Sequence, residues 1–283
     1  MKGMVIFMKY YIITDENASY FYKPNIGICK KSGYTGAETE VIASGIIDEF
    51  GIFRNNFTHM VYANENNEII YMKQGKNPVP IIAGKNGIRP YDFILTGDGE
   101  SPALFYKAEH NGEILIFYCV LSGNSRPVSV GNVSREHTEY SVGNGRVCFT
   151  SKDNSLVYKE FRDNTFSNSV FIAKNGYMPH YASIGEKDYI VYCDGENIVV
   201  NGIGVVPDPY ALKPVLFPAE NKLCLQWQSG AFVKYVTSDD GIKWSKPVKY
   251  IGNGYQSVII TYVTKNCSHS CYGYAGNPFT PIK

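Results

Sequence analysis

The sequence lacks a surplus of either charge: 27 Lys and Arg stand against 26 Asp and Glu in 283 residues. No long run of one sign occurs. A nucleic-acid backbone or an anionic membrane therefore finds no basic face, and neither partner is expected. No apolar stretch approaches the ~20 residues that span a bilayer. The N-terminal "MKGMVIFMKYYIITDE" is broken by Lys9 and has no small-residue cleavage site, so no signal peptide is recognised. The default expectation is a cytoplasmic location, with release by a non-classical route as the other.

Catalytic signatures are also missing. There is no phosphate-cradling Gly-rich loop, no His-Glu-x-x-His and no Gly-x-Ser-x-Gly. No cofactor is expected. Arginine is scarce: the chain has Arg54, Arg89, Arg126, Arg135, Arg146 and Arg162, and none beyond. Cysteine is an odd seven, so at least one is unpaired within the chain. Cys119, Cys148, Cys193 and Cys224 sit in apolar runs and read as small buried hydrophobes, which fits a reducing compartment. In "CSHSC", Cys267, His269 and Cys271 would face one way in a strand. A fourth metal ligand is not evident nearby, so no metal site is expected. A Cys267–Cys271 disulfide and a plain terminal strand both stay open.

Helix has little support. "VIASGIIDEFGIF" (41–53) has some apolar i, i+4 spacing, but Gly45 and Gly51 interrupt it. What the chain does have is 14% aromatic residues, led by 23 Tyr and 15 Phe, together with 27 Gly. That mix favours pleated strands joined by tight turns.

A weak repeat organises these strands. "TEVIASG" (39–45), "NPVPIIAGKNG" (77–87), "RPVSVGN" (126–132), "NSVFIAKNG" (168–176) and "KPVKYIGNG" (246–254) align on Val41, Val79, Val128, Val170 and Val248. The steps are 38, 49, 42 and 78 residues, and "GVVPDP" (204–209) fills the double step with Val205 or Val206. Six alternating hairpins precede these copies, at 10–23, 59–73, 103–118, 146–161, 188–200 and 223–236. A third family of six reads as inner strands: 55–59, 91–96, 138–142, 179–184, 213–217 and, after the last hairpin, 256–261. The first hairpin lacks such a strand, and the last segment supplies one. The expected fold is therefore all-β: a six-bladed β-propeller of four-stranded antiparallel blades, closed by a C-terminal inner strand joining the N-terminal blade. Residues 1–283 form one domain, with 264–283 as a C-terminal extension; seven blades is the alternative, if 256–275 stand apart.

"TSDDGIKW" (237–244) falls at the last corner of the sixth unit. It resembles the Asp-box, or BNR repeat, whose pattern is Ser/Thr-x-Asp-x-Gly-x-Thr-Trp. Thr237, Asp239, Gly241 and Trp244 match, with Lys243 in place of the usual Thr. The resemblance covers eight residues closely and the chain only as repeat architecture. It implies a sialidase-like propeller superfamily, which holds six-bladed sialidases and many non-catalytic members. In that family the box is a structural corner on the blade's outer edge. Asp239 would hold the turn, Gly241 would take a positive φ, and Trp244 would fill a seam between blades. The resemblance also implies, for an active enzyme, three arginines, a Tyr–Glu nucleophile pair and an Asp acid/base. Arg54, Arg89 and Arg135 precede predicted inner strands, and "IRP" in "GIRPYDF" (87–93) is loosely similar to a sialidase motif. Another hydrolase using paired carboxylates would draw on Asp92, Asp98, Glu136 and Glu139.

Aligning the inner strands places Asn56, Asp92, Glu139, His180, Lys213 and Gln256 at equivalent points. Six unlike polar groups suit recognition of a hydrated, asymmetric ligand, or simply line a wet channel. Arg89, Tyr91 and Tyr177 lie beside them, with Tyr210 and Tyr255. The function expected is non-catalytic recognition of a glycan or a protein surface at a central funnel. The alternatives are a sialidase-like hydrolase and a structural propeller in a larger assembly. Nothing in the sequence fixes an oligomeric state.

Overall fold

A computed structural model of the chain describes residues 10–33, 39–84, 88–97, 102–121, 126–162, 165–250, 257–265 and 267–274. Every regular element among them is a β-strand. Six sheets, each built on four antiparallel strands, follow one another as the blades of a six-bladed β-propeller.

Blade 1 holds β1 (Tyr10–Ile13), β2 (Ala18–Lys23), β3 (Gly27–Ser32) and β4 (Thr39–Ser44). Blade 2 holds β5 (Ile46–Arg54), β6 (Thr58–Asn64), β7 (Ile69–Lys73) and β8 (Val79–Ile82). Blade 3 holds β9 (Pro90–Thr96), β10 (Ala103–His110), β11 (Glu113–Val120) and β12 (Val128–Val133). Blade 4 holds β13 (Tyr140–Gly143), β14 (Arg146–Thr150), β15 (Ser155–Arg162) with the short β16 (Thr165–Phe166), and β17 (Val170–Lys174). Blade 5 holds β18 (Tyr177–Ile184), β19 (Lys187–Cys193), β20 (Asn197–Val200) and β21 (Ile203–Pro207). Blade 6 holds β22 (Ala211–Ala219), β23 (Lys222–Ser229), β24 (Phe232–Ser238) and β25 (Val248–Tyr250). Two more strands, β26 (Ser257–Thr264) and β27 (Cys267–Tyr274), extend the sheet of blade 1.

The C-terminal strand joins the N-terminal blade as expected, but the phase differs. "GICKKS" forms β3, a strand too Lys-rich and too poor in large apolar residues to stand out in the sequence. Blade 1 is thus complete in itself. Its first hairpin supplies the first and second strands, not the second and third. β26 then pairs with β1 in parallel, Tyr10 opposite Ile260, and β27 pairs antiparallel on its far side. Residues 257–274 therefore make no seventh blade.

A second difference concerns "NNFTH". Residues 55–57 are a bend between β5 and β6, and the first strand of blade 2 is Ile46–Arg54. Gly45 takes φ 63° and lets the chain leave β4 and enter β5 at once. The stretch with weak helical spacing is thereby two strands.

The fourth strands carry the valine repeat. Val41, Val79, Val128, Val170 and Val248 are all 41–48% exposed, so they are edge residues and not core. β4, β8, β12, β17 and β21 each shift register against the third strand, a bulge that interrupts edge pairing. In blade 5 the shift falls at Val205. Ile203, two residues earlier, is thus the counterpart of Val79, in place of Val205 or Val206.

Contacts divide the chain into two compact units: Met1–Ala108 with Val120–Arg126 and Tyr255–Phe279, and Glu109–Cys119 with Pro127–Gly254 and Thr280–Lys283. The first has a core of Tyr11, Ile13, Tyr20, Ile28, Phe50, Met60 and Val263. The second is centred on Val191, Ile198, Leu216, Leu225, Val236 and fully buried Trp227. Where neighbouring first strands cross, glycine admits the ring: a Cβ on Gly143 would lie 2.5 Å from Tyr181 Cδ1. The four internal thiols Cys119, Cys148, Cys193 and Cys224 are buried as expected, and burial pushes each up to about 12.

The Asp-box corner keeps its turn, but a different aspartate holds it. Asp240 Oδ1 accepts the N–H groups of Ile242 at 2.8 Å and Lys243 at 2.9 Å, and Ser238 Oγ accepts that of Gly241 at 2.8 Å. Asp239 points outward and pairs with Lys222 at 3.3 Å. The register is one residue later than the pattern because β24 runs through Ser238. Gly241 has φ 77°, and a Cβ there would sit 3.3 Å from Tyr189 Cε1 of blade 5. Trp244 packs against the core of blades 5 and 6. Thr237 closes the loop through Ser245.

Candidate recognition site

The first strands of blades 3, 5 and 6 share one irregularity. β9, β18 and β22 each shift register near their start. At that point the backbone turns left-handed at Asp92 (φ 56°), Met178 (φ 53°) and Lys213 (φ 49°). A non-glycine residue there costs ~1–2 kcal/mol. The next residue, Phe93, Pro179 or Pro214, is buried in each case. This shared bulge gives the structural alignment of the strands. Met178, and not His180, is the equivalent of Asp92 and Lys213. Asn56 lies in the bend at the opposite end of its strand. Gln256, Asp98 and Tyr255 lie outside the described residues.

In the first unit, Asp92 is committed internally. Its Oδ2 lies 2.9 Å from Lys107 Nζ, whose side chain is only 4% exposed. The same ammonium stands 5.1 Å above the Tyr91 ring. Asp92 N–H donates to Glu49 Oε2 at 3.3 Å. A buried cation needs such a partner, so Asp92 holds the strand in place. Arg89 is exposed just before β9. Arg54 is the last residue of β5, at the opposite end of its strand. It binds Asp15 Oδ2 at 3.0 Å, Thr58 Oγ1 and Gln74 Oε1 at 3.1 Å, and Glu16 Oε1.

The second unit gathers more of the expected residues. The segment leading into β13 is fixed by a Ser134 hydroxyl bound to Asn154 and capping Glu136 N–H. It delivers His137 face to face with Tyr177, centroids 4.3 Å apart and planes 18° from parallel. His137 Nδ1 and Glu139 Oε2 are buried atoms with no hydrogen-bond partner. The Glu139 charge is felt at the Cys193 thiol, which burial first, then Asp194 and Asp208, and then Glu139 push upward. Cys193 pairs across the sheet with Tyr177 and donates to Ala211 O at 3.5 Å. Met178 Sδ accepts Lys213 N–H at 3.2 Å. The starts of β13, β18 and β22 thus converge on one patch.

Asp208 fixes the far side of that patch. It is buried and accepts from Trp227 Nε1 at 2.9 Å, Ser229 Oγ at 3.2 Å, Lys234 Nζ at 2.8 Å and Tyr210 N–H at 3.1 Å. Burial raises its pKa, but these donors outweigh burial and hold it below the usual carboxylate range. The clamp presents Tyr210, 75% exposed, and Leu212, 40% exposed, to solvent. Spacing could not reveal Asp208, because its partners lie up to 26 residues away on three segments.

His180 is bound elsewhere. Its Nε2–H donates to Leu216 O at 3.2 Å, and burial lowers its pKa to about 4. It joins two neighbouring first strands as a neutral ring. Two arginines of the second unit stand apart. Arg135 is held by Glu109 and the Gly112 carbonyl before β13, whereas Arg146 binds Glu160 and Asp188 beyond its other end. The buried thiols, pushed upward, are protonated and not activated nucleophiles. Among the described residues no group of His, Cys, Asp and Glu could hold a metal ion.

No protein-family model matches the sequence, and a search of curated proteins found no match. Solved structures do resemble the fold. A prolyl endopeptidase matches 90% of this chain over 44% of its own, at TM-score 0.55 and 13% identity. The WD40 domain of SCAP from fission yeast matches 88% of this chain over 75% of its own, at TM-score 0.54 and 8% identity. The SapL1 lectin in complex with alpha methyl fucoside covers 87% of this chain and 96% of its own, at 12% identity, but its TM-score of 0.49 is too low to carry weight. Identities this low speak for a shared propeller fold alone. The Asp-box remains a resemblance of one corner.

Proposed function

We propose that the chain is a non-catalytic recognition propeller that binds a carbohydrate where β13, β18 and β22 begin. The observation that carries this is the pair of buried polar atoms, His137 Nδ1 and Glu139 Oε2, left without a partner beside the His137–Tyr177 stack. Buried polar groups are normally satisfied, so an unmet pair marks a place for an outside partner. An oxygen acceptor and a ring nitrogen beside aromatic surface match the hydroxyls and apolar face of a sugar ring. The separate ion pairs that hold Arg135 and Arg146 give a sialidase-like enzyme less support. Exposed Tyr210 and Leu212 favour a second reading, a protein surface as ligand.

An array of neutral and acidic oligosaccharides tests the proposal. Specific sugars are expected to bind, and His137→Phe is expected to abolish that binding while the circular dichroism spectrum is unchanged. A chain that retains no sugar on the array sinks the proposal and leaves the protein-surface reading.

A further inference from the structure

Four carboxylates drawn in from the surface each have a cation beside them. Buried Asp208 holds Lys234 at 2.8 Å, and the partly covered Asp92 holds Lys107 at 2.9 Å. Asp188 holds Arg146 at 3.3 Å, and Glu16 holds Arg54. A covered charge without a partner is costly, so pairing is the expected state. Glu139 departs from it. Its Oε2 is buried and meets no donor. Among the described residues no lysine or arginine forms an ion pair with it.

The surroundings of Glu139 supply negative charge and aromatic surface. Tyr177 stacks on His137 and pairs across the sheet with Cys193. Burial first, then the charges of Asp194, Asp208 and Glu139, push the Cys193 thiol upward, so three carboxylates act on one small region. Lys234 answers Asp208. Asp194 accepts the backbone N–H groups of Glu196 at 2.9 Å and Asn197 at 2.7 Å, which are dipoles and not a charge. An aromatic stack beside carboxylates is a setting that favours a cation.

The two unmet atoms ask for the same thing. A carboxylate oxygen only accepts, and a histidine Nδ1 accepts whenever the ring proton sits on Nε2. A sugar hydroxyl brings one donor and no charge. An ammonium brings three donors and the positive charge that Glu139 lacks.

We infer that the recognition site prefers a sugar carrying a free amino group, its ammonium bound at Glu139 beside the His137–Tyr177 stack. This rests on the carbohydrate-binding proposal and deepens it by naming the ligand class. Neutral sugars bind there through a hydroxyl and more weakly. Acidic sugars bring a like charge to Glu139 and are rejected.

The test titrates a chitosan oligosaccharide and a chitin oligosaccharide of the same length into the protein, in weakly acidic buffer that charges the amines. The two differ only in free amine against acetamide. The parent chain is expected to bind the amine form about tenfold more tightly. Glu139→Gln is expected to erase that preference and barely move the Tm. Equal affinity for the two oligomers, or a preference for the acetylated one, overturns the assignment and leaves carbohydrate recognition standing. So does a preference that survives Glu139→Gln, because the ammonium would then be held elsewhere. A marked Tm loss in Glu139→Gln also overturns it, because the carboxylate would then serve the fold. An array whose hits all lack amines, with neither oligomer bound, has the same consequence. A chain that retains no sugar of any kind refutes the recognition proposal itself, and this assignment with it.

Discussion

Two histidine–tyrosine stacks, one in each unit, use the same chemistry to opposite ends. His59 lies fully buried against Tyr71, rings 5.9 Å apart and 6° from parallel. Its Nδ1 accepts from the Tyr71 hydroxyl at 2.6 Å, and its Nε2–H donates to Asn55 Oδ1 at 2.9 Å. Every polar atom of that ring is used. His137 stacks on Tyr177 at 4.3 Å, yet its Nδ1 meets nothing. A saturated ring stiffens the blade that contains it. An unsaturated one keeps hydrogen-bonding capacity in reserve, at a cost of ~1–3 kcal/mol for a buried group. The contrast separates a satisfied ring from an unsatisfied one, which residue type does not.

Five variants would erase or sharpen that contrast. His59→Ala should cost the most, ~3 kcal/mol or more in denaturant unfolding, because it opens a cavity and strands Asn55 and Tyr71. His137→Ala should cost ~1 kcal/mol or less; equal losses would mean that the two stacks are alike. The next effect is pH-dependent. Burial first, then the charges of Lys73 and Arg54, lower the His59 pKa to about 4. Its folded value lies below its unfolded value of about 6.5, so the unfolded chain takes up the proton first. The stability held above pH ~6.5 should fall as pH drops toward ~4, by up to ~3 kcal/mol at that site. His180 adds a loss of the same sign. His59→Phe should flatten the profile of Tm against pH in this window; an unchanged slope would acquit the buried ring.

The remaining two effects are smaller in stability and larger in binding. His137→Phe keeps the stack and removes the unmet nitrogen. It should leave unfolding stability unchanged or raise it by up to ~1 kcal/mol, with sugar binding lost. Glu139→Gln preserves shape while exchanging one acceptor for a donor. It should barely move the Tm and weaken binding about tenfold, ~1.4 kcal/mol, by titration calorimetry. If both variants bind as the parent does, the patch before β13 is not the site.

Much of the fold was legible in the residues. Hairpins with alternating apolar positions marked second and third strands in five blades, and the valine family marked the fourth strands. Both signals are local, since pleat and turn act over a few residues. The phase of blade 1 was not legible, because "GICKKS" carries two lysines and one isoleucine in a strand whose buried half is Gly27, Ile28 and Cys29. The candidate patch was legible in part. Glu139, Tyr177 and Lys213 belong to the patch, whereas Asp92 serves Lys107, His180 serves Leu216, and Asn56 lies at the far end of its strand. A bulge inserts one unpaired residue, so counting along the strand placed His180 two positions out of step. The corner at 237–244 shows the same slip on a smaller scale. Asp240→Ala should lower the Tm and Asp239→Ala should not, which a spacing pattern alone would reverse.

By itself the sequence determined an all-β chain of six repeated units, because alternation, turn residues and repeat spacing are written in neighbouring positions. It also determined that no single charge or motif dominates the surface. Only the tertiary structure decided which polar residues are satisfied and which are held in reserve. Hydrogen-bond satisfaction depends on partners tens of residues away, as Asp208 with Lys234 and Asp92 with Lys107 show. Left-handed bulges shift the register of three first strands. Neither property has a period, so neither leaves a pattern along the chain.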